Sequence, residues 1–169
     1  MVALKSNPLQ SGVIAIQITE LTTLPAKAQQ QVLSTVKRIE KKTFASGEVS
    51  DFAVELKKRN THILVALVQT GQDVELMGYL LYVRQKRTTW LHKLCVLQDF
   101  RRKGIAKDMI QVLEARLRKE ACDELLLWVD EENLGARALY ASAGFDEVNR
   151  ILDYYGPGRT GIKLVLRLD

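Results

Sequence analysis

The chain has 169 residues, 47% of them hydrophobic and 27% charged, with a formal net charge of +5. That is the size and balance of one globular domain with a sizeable core, here read as residues 1–169 with no linker. It excludes a collagen-like, disordered or disulfide-scaffold chain, and no apolar run is long enough to span a membrane.

Val13 to Ile18 predicts a short strand. After Pro25, Val32, Leu33, Val36 and Ile39 recur at helical spacing. Gly47 interrupts that helix, and Glu48 to Arg59 predicts a second one with Phe52 and Leu56 on one face. His62 to Gln69 and Val74 to Val83 flank the turn Thr70-Gly71-Gln72-Asp73, the pattern of a hairpin. Thr88 to Leu97 follows as a third strand. A polar, basic stretch, Gln98 to Lys103, leads into an amphipathic helix with Ile105, Met109, Val112, Leu113 and Leu117 as its apolar stripe. Glu124 to Val129 predicts a buried strand and Leu134 to Ala143 a short helix. Gly144 stops that helix with the left-handed geometry that glycine adopts most cheaply. Phe145 to Leu152 and Gly161 to Leu168 complete the sheet around the loop Gly156-Pro157-Gly158-Arg159. The order β-α-α-β-β-β-α-β-α-β-β predicts a mixed α/β (α+β) sheet with helices on both faces.

Met1 to Gln10 lacks the charged head and apolar stretch of a signal peptide, so the expected location is the cytosol or nucleus. Cys95 and Cys122 are expected as reduced, packed thiols. A nucleophilic Cys95 would need a base, and His92 is the close candidate in sequence. The basic excess gathers at Arg84-Gln85-Lys86-Arg87 and Arg101-Arg102-Lys103. Zinc-ligand spacing, RNA-binding aromatic signatures and a continuous basic arm are absent, so a phosphate-rich small ligand explains the charge better than nucleic acid or a membrane. No metal site is expected.

The position of Arg101-Arg102-Lys103-Gly104-Ile105-Ala106, between an apolar strand and an amphipathic helix, suits a pyrophosphate. A helix start has unpaired N–H groups and partial positive charge, and both favour an anion. Gly104 and Ala106 keep the backbone accessible. This turn resembles the acetyl-CoA pyrophosphate loop of the GNAT superfamily, Arg/Gln-x-x-Gly-x-Gly/Ala, with Arg101, Gly104 and Ala106 at its specified places. The stretch from Asn133 to Phe145 resembles that family's second signature, Asn-x-x-Ala-x-x-Leu/Phe-Tyr-x-x-x-Gly-Phe, at every specified place.

The resemblance implies the GNAT fold: a mixed, mostly antiparallel sheet of about seven strands. It implies acetyl-CoA as donor, bound by Leu94, Cys95, Val96, the turn Arg101 to Ala106, Asn133, Ala136 and Tyr140. Asn133 is also a good helix N-cap. Tyr140 is the candidate acid for the departing thiolate. Full proton transfer from an ordinary tyrosine to a thiolate is uphill by about 2 kcal/mol, so hydrogen bonding is its first role.

Relatives place a glutamate, histidine or tyrosine base on the central strands, at positions that map to Trp90 and Trp128 here. His92, Asp130 and Glu48 are the remaining candidates near the acceptor, and the two tryptophans could wall an apolar pocket. A lysine amine is neutral in about one molecule in 2,500 at pH 7 and an α-amine in about one in seven. A site without a strong base therefore favours an α-amine. Tyr154 and Tyr155 resemble the tyrosine pair that contacts peptide in ribosomal-protein and N-terminal protein acetyltransferases. The expected function is direct acetyl transfer to a primary amine, most plausibly on a protein or peptide. The alternatives are a small-amine acetyltransferase or a non-catalytic acyl-CoA-binding module. A monomer or homodimer is expected.

Overall fold

A computed structural model describes residues 15–44, 46–71 and 73–168. Seven strands form one sheet among them, in the order β1-β2-β3-β4-β5-β7-β6. They are β1 (Ile16–Glu20), β2 (Thr61–Thr70), β3 (Asp73–Gln85), β4 (Thr88–Val96), β5 (Glu124–Asp130), β6 (Asp146–Ile151) and β7 (Gly161–Arg167). The helices are α1 (Ala26–Thr43), α2 (Phe52–Glu55), α3 (Ile105–Lys119) and α4 (Leu134–Ser142). Only β4 and β5 pair in parallel; the other neighbours are antiparallel.

Alternation along β2 explains the two layers. Ile63, Val65 and Leu67 join Val32 and Val36 of α1 on one face. Leu64, Ala66 and Val68 join Met109, Leu113 and Leu117 of α3 on the other. A strand covered on both faces must be apolar throughout, which is why β2 reads as an unbroken hydrophobic run. In α3 the expected stripe is present, with Ile110 fully buried and Val112 only packed at the margin.

Three features differ from expectation. The first strand runs Ile16–Glu20; Val13 and Ile14 lie outside the described residues. The expected helix from Glu48 to Arg59 is reduced to Phe52–Glu55. Asp51 caps it, accepting from the Ala53 and Val54 N–H groups at 3.0 and 3.3 Å, so helix begins only there. Beyond Leu56 the chain turns through a Thr61 N–H to Lys58 carbonyl bond.

The third difference is a β-bulge. Tyr82 opposes Leu91 and Leu81 opposes Lys93, so His92 is the extra residue of β4. Leu91 packs in the α3-side core, whereas Cys95, four residues on, packs in the α1-side core. An unbroken strand would keep both on one face. The bulge thus rotates the second half of β4 just before its cleft-lining residues.

Glu40 of α1 is fully buried and is held by three donors: Tyr79 Oη at 2.6 Å, Lys93 Nζ at 2.5 Å and the Ser50 N–H at 2.9 Å. Lys93 also donates to the Glu48 carbonyl at 2.7 Å. These bonds fasten the segment after α1 to the centre of the sheet. No helix among the described residues is long and apolar enough to cross a membrane.

Candidate active site

The two central strands pair only over Thr88–Trp90 and Glu124–Leu126. Beyond Trp90 they diverge, and a cleft of about 540 Å³ opens between them. Leu94, Cys95 and Val96 form one wall, the turn into α3 forms the end, and Asn133, Gly135, Ala136, Leu139 and Tyr140 of the α4 region form the other wall. The free edge of β4 leaves backbone N–H and C=O groups that can pair with the amides of an extended ligand.

The turn into α3 fits a pyrophosphate. Gly104 has φ +82°, a conformation in which a side chain is strained although space for a Cβ exists. It is the N-cap residue of α3, and no side chain caps that helix. Its first N–H groups are therefore free for an anion. Arg101, Arg102, Gly104, Ile105 and Ala106 line the cleft as expected. Arg101 also folds back, donating from Nε to the Val96 carbonyl at 2.9 Å, and so fixes the turn against β4. Lys103 stands apart: its ammonium lies over the Phe100 ring, 5.4 Å from the centroid, and Lys107 lines the cleft instead. Position three on from Gly104, one helical turn, was the available sequence signal for Lys107.

Asn133 uses its side-chain oxygen to cap α4, accepting from the Ala136 N–H at 3.1 Å. Its NH₂ group remains available as a donor to the cleft. Tyr140 is buried and packs edge-on against Phe145, with ring centroids 5.4 Å apart. Its hydroxyl has no hydrogen-bond partner among the described residues. Burial pushes the phenol up to about 12. Proton transfer to an ordinary thiolate is then uphill by about 5 kcal/mol rather than 2, which favours hydrogen-bond donation over proton release. Cys95 lines the cleft but is buried, and burial raises its pKa, so it remains a thiol.

On the α1 side of β5 and β7 the acceptor candidates converge. Trp128 stacks on Tyr154 with centroids 4.3 Å apart, and Tyr154 meets Tyr155 edge-on at 4.9 Å. A Cβ at Gly161 would lie 2.7 Å from Tyr154, so glycine there lets that ring lie against β7. Arg159 donates to Asp130 Oδ2 at 2.8 Å and to Glu48 Oε1 at 3.1 Å, and stands 5.4 Å from the Tyr155 centroid. The β6–β7 loop, the end of β5 and the α1–α2 segment are thereby joined. Trp90 lies on the same face, with Lys163 Nζ 5.0 Å from its centroid.

The base candidates fare unevenly. The Glu132 backbone N–H and Arg159 hold Asp130 below the usual carboxylate range, which makes it a poor proton acceptor. Glu48 is exposed and engaged by Arg159. His92, at the bulge, is an exposed residue. Partial desolvation lowers its pKa, with Glu55 opposing the shift and Lys58 adding to it. It is not a lining residue of the cleft. Phe44, at the end of α1, is a lining residue that periodicity gave no reason to select.

Comparisons with known proteins bear on this geometry. N-alpha-acetyltransferase 30 of Saccharomyces cerevisiae is 29% identical over 125 residues, 72% of this chain. The match spans 65% of that relative, less than two thirds of its length. The ribosomal-protein-S18-alanine N-acetyltransferase of Escherichia coli superposes with a TM-score of 0.71 at 19% identity, over 91% of this chain and 94% of its own. A structure of the NatC complex bound to Gag peptide and CoA superposes with a TM-score of 0.70 at 22% identity, over 91% and 99%. At these identities the two structures establish a shared fold alone. The model of the acetyltransferase (GNAT) family matches residues 30–145. That span takes in β4, the uncapped turn into α3, and α4 with Asn133 and Tyr140, and on that match the chain belongs to the GNAT acetyltransferase family.

Proposed function

We propose that the chain transfers the acetyl group of acetyl-CoA to the α-amine of a protein or peptide, by direct attack without a covalent enzyme intermediate. The observation that carries the peptide reading is the roofed acceptor mouth. Tyr154 is stacked on Trp128, Tyr155 lies beside it, and Arg159 ties their loop to β5 and to the α1–α2 segment. The likeness to a protein named N-alpha-acetyltransferase 30 supports the same reading.

Acetyl-CoA supplies an acetyl thioester. The uncapped start of α3, with Arg102 and Lys107 beside it, would hold the pyrophosphate, and the free edge of β4 with the Asn133 amide would hold the pantetheine arm. The amine nitrogen attacks the carbonyl carbon and the C–S bond breaks. Tyr140 donates a hydrogen bond to the thiolate as it forms, and the proton lost by nitrogen ends on the thiolate or in water. On the family resemblance Trp90 and Trp128 take the positions where many relatives carry a base; the acceptor then enters already neutral, which suits an α-amine. We place the reaction in the cytosol or nucleus, which cell fractionation tests.

Those same tryptophans favour one second reading, a module that binds acyl-CoA without catalysis. CoA release by purified protein separates the possibilities. Peptides with free α-amines are run beside polyamines, aminoglycosides and arylamines. Turnover of peptides supports the proposal, turnover of small amines alone replaces the acceptor, and acetyl-CoA binding without turnover in any pool supports the binding module.

A further inference from the structure

Strand β7 alternates. Ile162 and Leu164 enter the α3-side core, which leaves Lys163 on the opposite face with Trp128, its register partner in β5. The α1-side core draws on β2, β3 and β4 and contains no residue of β5 or β7. Lys163 therefore shares the face of Trp90, Trp128 and Tyr154 rather than joining the core. It is half-buried, and its ammonium lies over the Trp90 ring at 5.0 Å. Among the described residues it has no carboxylate partner. The two acidic side chains at the rim, Glu48 and Asp130, are both engaged by Arg159. Asp153, in the loop above, accepts the Gly158 N–H at 2.6 Å.

A half-buried cation without a counter-charge is costly, and the buried Leu126 and Val165 that share its face ask only for an apolar neighbour. The charged head gains the Trp90 ring face but no carboxylate among the described residues.

We infer that Lys163 selects the acceptor: it receives a carboxylate carried close to the reacting amine, in a peptide within the first two residues. This rests on the peptide acetyltransferase reading above. Trp90 and Trp128 exclude water beside the ammonium, which strengthens its attraction for an anion. Salt weakens that preference in part, because Lys163 is only half-buried.

The test compares kcat/KM for peptides that differ only in carrying Asp or Glu against Asn or Gln at the first or second residue. A matched small-amine arm contains amino acids with side-chain carboxylates and their amides. The wild-type protein is expected to favour the acid by about tenfold, the effect of one charge-assisted hydrogen bond. Lys163→Met preserves the stem and brings the ratio to about one; Lys163→Glu makes it favour the amide. A wild-type ratio near one, or an unchanged ratio in Lys163→Met, overturns the inference while peptide turnover itself stands. Carboxylate preference through Lys163 in the small-amine arm alone sinks the peptide reading and retains the selector. Absence of turnover in both arms overturns both.

Discussion

Arg159 donates from Nε to Asp130 Oδ2 at 2.8 Å, joining residues 29 positions apart across the acceptor mouth. The same guanidinium reaches Glu48, 111 positions away. All three side chains retain exposure, at 45% for Arg159, 16% for Asp130 and 41% for Glu48. Exposed pairs contribute little to stability, typically below about 1 kcal/mol. Their consequence here is the placement of Tyr154 and Tyr155.

Arg159→Ala is accordingly expected to raise KM for a peptide acceptor about fivefold to tenfold, leaving KM for acetyl-CoA unchanged. Steady-state kinetics with each substrate varied in turn checks it. Equal increases in both KM values would contradict a role confined to the acceptor loop.

Tyr140→Phe removes a hydroxyl that has no hydrogen-bond partner among the described residues, so folding stability should hold. The loss falls on the departing thiolate. A drop in kcat of about a hundredfold is expected, the scale for one donor to a developing anion. Calorimetric binding of acetyl-CoA should change less than about twofold.

The pH dependence follows from the acceptor when no protein group takes its proton. For an α-amine, kcat/KM rises with pH as the ammonium deprotonates and levels above about 8. For a lysine side chain the rise continues toward about 10. His92 has a lowered pKa and is already neutral there, so its own titration falls at lower pH. His92→Ala should leave the α-amine limb in place. Loss of a limb near neutrality in that variant would make His92 the base.

Glu40 presents the opposite energetic case to Arg159. Its carboxylate is fully buried with Tyr79, Lys93 and Ser50 as donors. Glu40→Ala leaves the Lys93 ammonium, only 11% exposed, without its carboxylate and held by the Glu48 carbonyl. Destabilisation of about 3–5 kcal/mol is expected, read as a lower urea midpoint at constant m-value. The α1–α2 segment loses its anchor in the same variant, so KM for the acceptor should rise as well.

The donor half of the site was legible in the sequence because it is local. Arg101, Gly104 and Ala106 lie within one turn, and Asn133 and Tyr140 lie on one short helix, so spacing alone carries their relation. The layers were equally legible, since burial on one or both faces leaves a period in the residues. The acceptor half was readable as a set of residue types but not as an arrangement. A bulge at His92 depends on how β3 and β4 register, and a one-residue slip exchanges the faces of a strand. The shortened α2 reflects the Asp51 cap and the turn after Leu56 overriding helical periodicity. Arg159 with Glu48, and Lys163 with Trp90, meet only once the sheet has brought distant segments side by side. The sequence by itself determined the elements, their buried faces and the acetyl-CoA motifs; the tertiary structure decided which charges on the acceptor side are paired and which is left over, because pairing depends on distance in space rather than along the chain.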